Sequence, residues 1–209
     1  MNYLQALQNR YSVKKFDSSQ IISPEHLENI LQAGKLSASS LGLQPYRIMI
    51  IASKEAKQNL IPAFYNPSQI STCSHLLVIV TKKGIDEQYI NGYFRQINQI
   101  RNTPLPQLEP FRKSINSHIE RTSAEEIVNW NEKQGYILLS NLMFAAALEG
   151  VDTCPMEGFR QDVLEDKLQI NPENEKITVT LALGYRAKDD DFQNHKKVRK
   201  DDKDLFEFL

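Results

Sequence analysis

Hydrophobic positions along this chain switch between helical and strand spacing, and the switches mark out its elements. Tyr3, Leu4 and Leu7 are spaced for a short helix. Ser23-Pro24-Glu25 predicts a helix start, with a capping hydroxyl, proline at the first position and then an acid. Leu27, Ile30 and Leu31 supply its apolar stripe, and it ends near Gly34. Ser37 to Gly42 reads as a loop or a broken helix end. RIMIIA from Arg47, HLLVIVT from His75 and ITVTLALGY from Ile177 are short, β-branched apolar runs, and each predicts a buried strand. Lys54 to Phe64 is a candidate helix. Asp86 to Arg101 is helical and polar, and Pro104, Pro106 and Pro110 are expected to break the pattern before a further helix over Phe111 to Glu120. Ser123-Ala124-Glu125-Glu126 is a capping-box start for a helix that runs to about Glu149 and stops at Gly150.

The second half of that helix, Tyr136 to Leu148, is apolar nearly all round, which places it centrally in its domain or in a subunit interface. A short apolar strand precedes Pro155, and Arg160 to Leu168 predicts one more helix. Lys188 to Lys203 is charged and is expected to wind over the surface. Leu205-Phe206-Glu207-Phe208-Leu209 alternates like a strand and needs a sheet edge, its own or a partner's. The sum is an α+β architecture: three or four core strands, a long central helix and helices around them. With no internal repeat or linker, residues 1–209 read as one domain.

Composition narrows the function classes. The 209 residues are 41% hydrophobic and 24% charged, with a formal net charge of -1, which argues against general nucleic-acid binding. No apolar run reaches the length of a membrane span, and MNYLQALQNRYS lacks the basic start and apolar stretch of a signal peptide. Neither nucleic acid nor membrane is expected as a partner, and a cytoplasmic location is. Cys73 and Cys154 fit no pairing motif and read as reduced thiols. His26, His75, His118 and His195 form no metal-spaced pair, so no metal is expected. No Ser-His-Asp or Cys-His arrangement and no glycine-rich dinucleotide fingerprint is legible.

The chemistry lies at the two ends of the chain. Arg10, Ser12 and Lys14 sit two apart in Arg10-Tyr11-Ser12-Val13-Lys14-Lys15-Phe16, so an extended segment projects them from one side. A guanidinium, a hydroxyl and an ammonium there suit a phosphate. Lys196-Lys197-Val198-Arg199 is a matching cluster far along the chain. Together they suggest a phosphorylated ligand held where the chain ends meet; the alternative is a solvated basic surface.

These segments resemble the FMN-dependent nitroreductases of the oxygen-insensitive NAD(P)H type. The match runs in order through Arg10 to Phe16, Ser39-Ser40-Leu41-Gly42-Leu43-Gln44-Pro45-Tyr46, Pro155-Met156-Glu157-Gly158-Phe159 and Lys197-Val198-Arg199. The resemblance implies a nitroreductase-like fold, with a central mixed or antiparallel sheet flanked by helices. It also implies a homodimer with shared active sites, FMN at the interface and a C-terminal strand exchanged between subunits. The activity implied is ping-pong transfer of hydride from NAD(P)H through flavin N5 to a small-molecule acceptor, a nitroaromatic or a quinone. The chemistry is then the cofactor's, with no catalytic side chain. A flavin reductase or dehalogenase-like enzyme of the same fold, a non-catalytic FMN storage or sensor protein, and a structural dimer without flavin are the alternatives.

By the same resemblance, Arg10, Tyr11, Ser12, Lys197 and Arg199 hold the phosphate and ribityl chain. Lys14 lies by the pyrimidine edge of the ring, with Asn66 and Gln69. The stretch Pro155, Met156, Glu157, Gly158 turns the backbone N–H groups of Glu157 and Gly158 toward N5 and O4. Ser39 and Ser40 reach the cofactor from the other subunit, Gln44 also binds the cofactor, and Ser40, Leu41 and Phe111 border the substrate pocket. Many relatives carry asparagine where Gly42 stands, which implies a more open pocket here, and some carry lysine where Gln69 stands. Gln134 and Gly135 either touch the flavin or pack in the core.

Overall fold

The computed structural model describes residues 2–209; Met1, the first residue of the span read as one domain, lies outside them. The elements are α1 (Tyr3–Asn9), α2 (Pro24–Lys35), β1 (Tyr46–Ile51), α3 (Lys54–Leu60), α4 (Pro67–Thr72), β2 (His75–Lys82), α5 (Glu87–Arg101), α6 (Leu105–Glu120), α7 (Ala124–Leu148), β3 (Asp152–Met156), α8 (Gln161–Lys167), β4 (Glu175–Gly184) and α9 (Asp202–Leu205). The strands form one antiparallel sheet in the order β1-β2-β4-β3.

Two of the three apolar runs, β2 and β4, are buried because both faces of the sheet are covered there; the third, β1, expected to be buried too, is instead an edge strand, with only Ile51 buried and Ile50 exposed. Leu77 and Ile79 of β2 and Val179, Leu181 and Leu183 of β4 pack with Ile30 of α2 and Leu138 and Leu142 of α7. Leu76, Val78 and Val80 point to the opposite face and meet Leu60, Ile70 and Leu164 of α3, α4 and α8. Strict alternation would put Ile177 on the α7 face with Val179. A bulge intervenes, since Ile79 pairs with Val179 but Val80 pairs with Ile177, and Ile177 lands in the other layer. α7 begins with the expected capping box, Ser123 and Glu126 exchanging bonds with each other's backbone N–H. Each fully buried leucine on it contributes ~2 kcal/mol of apolar burial. α5 and α6 carry a third cluster, with Phe94, Ile97 and Ile115 inside it and Leu43 from the loop before β1.

Two further expectations are corrected. The expected break is there but short: α5 ends at Arg101, with Asn102 in the left-handed region, and the next helix, α6, starts at Leu105 rather than Phe111, behind Pro104 as its N-cap. Pro106 falls in the first turn, where backbone N–H groups have no helical partner anyway; Pro110 is accommodated inside the helix. Asn66 stands at the N-cap of a short helix, α4, that opens at Pro67 and carries Gln69. The tail is no strand within one protomer: Leu205 closes the one-turn α9, and Phe206, Phe208 and Leu209 are exposed.

No described helix is long and apolar enough to cross a membrane.

Candidate active site

Residues 10–17 lie along the β3 side of the sheet. Ser12 bridges Thr153 in parallel, Val13 N–H donates to the Thr153 carbonyl at 3.1 Å, and Phe16 bridges Arg186. Val13 points inward and is fully buried, so its neighbours Ser12 and Lys14, with Arg10, face out; a bend at residues 14–15 then turns Phe16 inward as well. They line a cavity of about 690 Å³ together with Asp152, Arg186, Lys197 and Arg199. The two basic clusters, remote in sequence, therefore share one site.

Its charge is held apart from carboxylates. Among the described residues, none of Arg10, Lys14, Lys197 and Arg199 has an Asp or Glu oxygen within 4.0 Å. Lys197 Nζ instead donates to the carbonyls of Leu7, at 2.9 Å, and of Arg10. Burial, and then Arg10 and Arg199, press the Lys197 ammonium below its usual pKa; burial and then Arg199 do the same to Arg10. Cations that lower one another's affinity for protons form a site that gains from an anion.

A frame of paired groups holds this arrangement. Arg186 makes a forked ion pair with Asp152, Nη2 to Oδ1 at 2.5 Å, and its guanidinium lies 4.6 Å over the Tyr11 ring. The Tyr11 hydroxyl donates to Asp190 at 3.0 Å. Burial, followed by that hydrogen bond, pushes the Tyr11 phenol well above its usual pKa.

β3 leads away from the cavity to Pro155, Met156, Glu157 and Gly158. From Asp152 to Glu157 an extended strand covers about 17 Å, at ~3.3 Å per residue. Glu157 and Gly158 are exposed, and Tyr65 N–H donates to the Gly158 carbonyl at 3.1 Å. A Cβ at Gly158 would touch only the Tyr65 ring, at 3.6 Å, so the approach to this backbone is open. The Glu157 carboxylate accepts the Tyr136 hydroxyl at 2.5 Å; burial and then Glu157 push the Tyr136 phenol to about 12. Beside the strand, Gln69 is buried with its amide toward the Cys154 thiol, and its Oε1 has no partner. Asn66, next to Tyr65, caps α4 without a side-chain bond and is exposed. Burial raises both thiols, Cys73 to about 11.

The 39–44 segment belongs to another region. Gln44 lines a separate cavity of about 810 Å³ between β1 and α5, and neither Ser39, Ser40, Leu41 nor Phe111 lines the basic one. Its backbone is unusual: Leu41, Gly42 and Gln44 have φ of 57°, 71° and 46°. Non-glycine residues resist that region, so something must hold it. Tyr89 Oη donates to the carbonyls of Leu43 and Gln44 at 2.7 and 2.8 Å, Tyr93 Oη to that of Leu41 at 2.9 Å, and Ser40 N–H donates to Gln134 Oε1 at 2.8 Å. Phe111 packs edge-on against Tyr93 and Phe94, with centroids at 6.5 and 5.6 Å.

Comparison with known proteins gives this geometry a context. The family model described as the nitroreductase family matches residues 7–185. The chain belongs to the nitroreductase family. As a member it is an oxidoreductase. It is 33% identical over 220 aligned residues to a candidate NAD(P)H nitroreductase of Staphylococcus epidermidis, covering 99% of this chain and 96% of that one. A candidate NAD(P)H nitroreductase of Staphylococcus haemolyticus is 31% identical over 214, with the same coverages. The fold is shared with a crystal structure of a candidate NAD(P)H:FMN oxidoreductase of S. epidermidis, TM-score 0.87 at 24% identity over 100% of this chain and 97% of that one. It is shared too with a candidate nitroreductase of Exiguobacterium sibiricum solved in complex with FMN, TM-score 0.86 at 20% identity over 100% and 98%.

Against the nitroreductase pattern, two sequence readings sharpen. A side chain at position 42 would collide with Tyr93 Oη, 2.6 Å from where its Cβ would stand, so the space beside Gly42 is filled by a phenol rather than open. Gln134 and Gly135 are packing residues: Gln134 holds Ser40 N–H, and a Cβ at Gly135 would stand 3.1 Å from Thr81 of the sheet. Sequence reasoning missed Asp152, Arg186 and Asp190. Arg186, a cation directly after a buried strand, is the signal that could have found the first two.

Proposed function

We propose that this nitroreductase-family protein binds FMN, takes hydride from NAD(P)H and reduces small nitroaromatic or quinone acceptors, working as a homodimer with shared sites. The observation that carries the reading is the convergence of Arg10, Ser12, Lys14, Lys197 and Arg199 on one cavity where, among the described residues, no carboxylate is paired to any of these four cations. The described residues fit the cofactor: uncompensated cations for its phosphate, an orphaned buried Gln69 Oε1 for a ring donor, and open backbone at Gly158.

Arg10, Lys197 and Arg199 would hold the phosphate and Ser12 the polar chain beside it. When bound, FMN supplies reversible hydride acceptance and delivery, which no side chain here provides. Lys14 would stabilise negative charge on the pyrimidine side, and Gln69, being neutral, adds none. Glu157 and Gly158 would offer backbone N–H groups, with the Glu157 carboxylate drawn aside by Tyr136.

Dimerisation is supported by three unpartnered features. Tyr136, Ile137 and Leu148 leave an exposed apolar stripe on α7. The outer edge of β1 pairs with no strand, whereas the β3 edge is covered by Ser12. The apolar tail at 205–209 is exposed and joins no strand among the described residues. A second protomer accounts for all three, and for why Ser39, Ser40 and Gln44 sit away from the basic cavity of their own chain.

The test is an absorption spectrum of the purified protein, then anaerobic addition of NADH or NADPH. Flavin bands near ~450 nm that bleach are expected. Flavin that stays oxidised with both nucleotides would favour a storage or sensor protein, and a protein that takes up no FMN would sink the reading.

A further inference from the structure

The charged stretch after β4, read from sequence as solvated surface, contains a carboxylate that does not behave as a surface group. Asp190 is only 3% exposed. Its Oδ2 accepts the backbone N–H of Lys14 at 2.8 Å and of Lys15 at 3.3 Å, and the Tyr11 hydroxyl at 3.0 Å. Its Oδ1 accepts Phe192 N–H at 3.2 Å. Lys14 and Asp190 are 176 positions apart in the chain.

That placement matters because of what lies on each side. N-terminal to Lys14 stand Arg10 and Ser12. C-terminal to Asp190, after one short turn over residues 191–194, the chain runs without regular structure to Lys197 and Arg199. Most bonds of that run are local, such as Gln193 Nε2 to the Lys188 carbonyl at 2.9 Å and His195 N–H to the Phe192 carbonyl at 3.2 Å, while Lys197 reaches back to Leu7 and Arg10. Asp190 is a buried carboxylate that joins the two cation-bearing segments, next to the backbone pairing of Lys15 with Ala187 and of Phe16 with Arg186. It joins them through N–H and O–H donors, without an ion pair to any of the four cavity cations. The cations are thus placed by a negative charge yet not neutralised by direct contact with it.

We propose that Asp190 is the positioning residue of the anion grip: its carboxylate locks the Tyr11–Lys15 backbone to the start of the 191–199 segment, so that Arg10, Ser12 and Lys14 face Lys197 and Arg199 across one cavity. The assignment rests on the FMN reading and deepens it. Asp190 does not itself line the cavity; it acts through Tyr11, Lys14 and Phe192, which do.

Asp190→Asn tests this, because the amide keeps the size and one acceptor but loses the charge that strengthens each bond. The readouts are FMN affinity of the apoprotein by flavin fluorescence quenching, the midpoint potential of the bound flavin, and the urea midpoint. Expected are FMN binding weaker by about tenfold or more, the loss of one charge-assisted bond, and a more positive potential, since removing a nearby anion favours added electrons. Tyr11→Phe, which removes one donor and keeps the ring under Arg186, should weaken binding in the same direction by less. Affinity unchanged in both variants would overturn the proposal, as would a drop in urea midpoint with affinity and potential both unmoved. If Asp190→Asn does not fold, unchanged affinity in Tyr11→Phe still overturns it. Wild-type apoprotein that binds no FMN would instead overturn the cofactor reading underneath.

Discussion

At the cavity between residues 10–14 and 197–199, charge is concentrated and left unpaired, and the backbone is ordinary. At the 39–44 loop the side chains are small or neutral, and the backbone is strained, with tyrosine hydroxyls holding it. The first region is arranged to gain from an anion; the second is arranged to keep a shape. On the proposed function, the difference separates two tasks, cofactor affinity in the first and the form of a covering surface in the second. The two regions should respond to different perturbations.

The largest effect is expected at the charged cavity. Replacing Arg10 and Arg199 together with alanine should weaken FMN binding by more than about 100-fold, since each charge-assisted contact to phosphate is worth roughly 1.5–3 kcal/mol. Flavin retained through gel filtration, read as the ratio of visible to protein absorbance, checks this; full retention would mean that the cavity is not the phosphate site. Ionic strength sharpens the contrast. Raising it from ~0.05 M to ~0.5 M should weaken FMN binding several-fold through screening of the cations, and urea stability of the tyrosine-held loop should not follow.

Next is Gly42→Ala. A Cβ at φ 71° with Tyr93 Oη 2.6 Å away must displace that hydroxyl from the Leu41 carbonyl. The expected cost is about 2 kcal/mol, combining left-handed strain and a weakened hydrogen bond, seen as a lower urea midpoint at unchanged FMN affinity per folded protomer. An unchanged midpoint would show that the loop is not held as tightly as its hydrogen bonds suggest. Tyr89→Phe should cost about 1 kcal/mol, since its hydroxyl is shared between two carbonyls. Its reading is a changed acceptor KM without a changed flavin potential.

The smallest effect lies outside both regions. The Arg47 hydrogen bond holds the Glu175 carboxylate below its usual pKa. A depressed folded pKa stabilises the protein above the unfolded value, and that contribution disappears as pH falls through the folded one. Glu175→Gln should therefore remove a small part of the acid-side loss of stability. The pair is partly exposed, so the change should stay under ~1 kcal/mol; thermal melts between about pH 3 and pH 7 would reveal it.

Much of this was legible in the chain. Strand positions followed from β-branched runs such as HLLVIVT, because a strand covered on both faces must be apolar throughout. The starts of α2 and α7 followed from Ser23 and Ser123, because capping is local chemistry. Arg10, Ser12, Lys14, Lys197 and Arg199 were legible as an anion set from residue type and spacing. What misled was context within a run: Pro104 and Pro106 look like breakers but sit at a helix start, and Asp190 looks like its exposed neighbours Asp189 and Asp191. Periodicity reports which face is apolar, and it carries no signal for one buried carboxylate in a charged stretch.

The sequence by itself determined the elements, the apolar faces and the kinds of group available for chemistry, since these depend on neighbours a few residues apart. Only the tertiary structure decided that the two basic clusters meet, that Asp190 rather than water receives the Lys14 and Lys15 N–H groups, and that Tyr93 fills the space beside Gly42. Those outcomes depend on contacts between segments distant in the chain, and such contacts exist only after the sheet and α7 have closed the core around them.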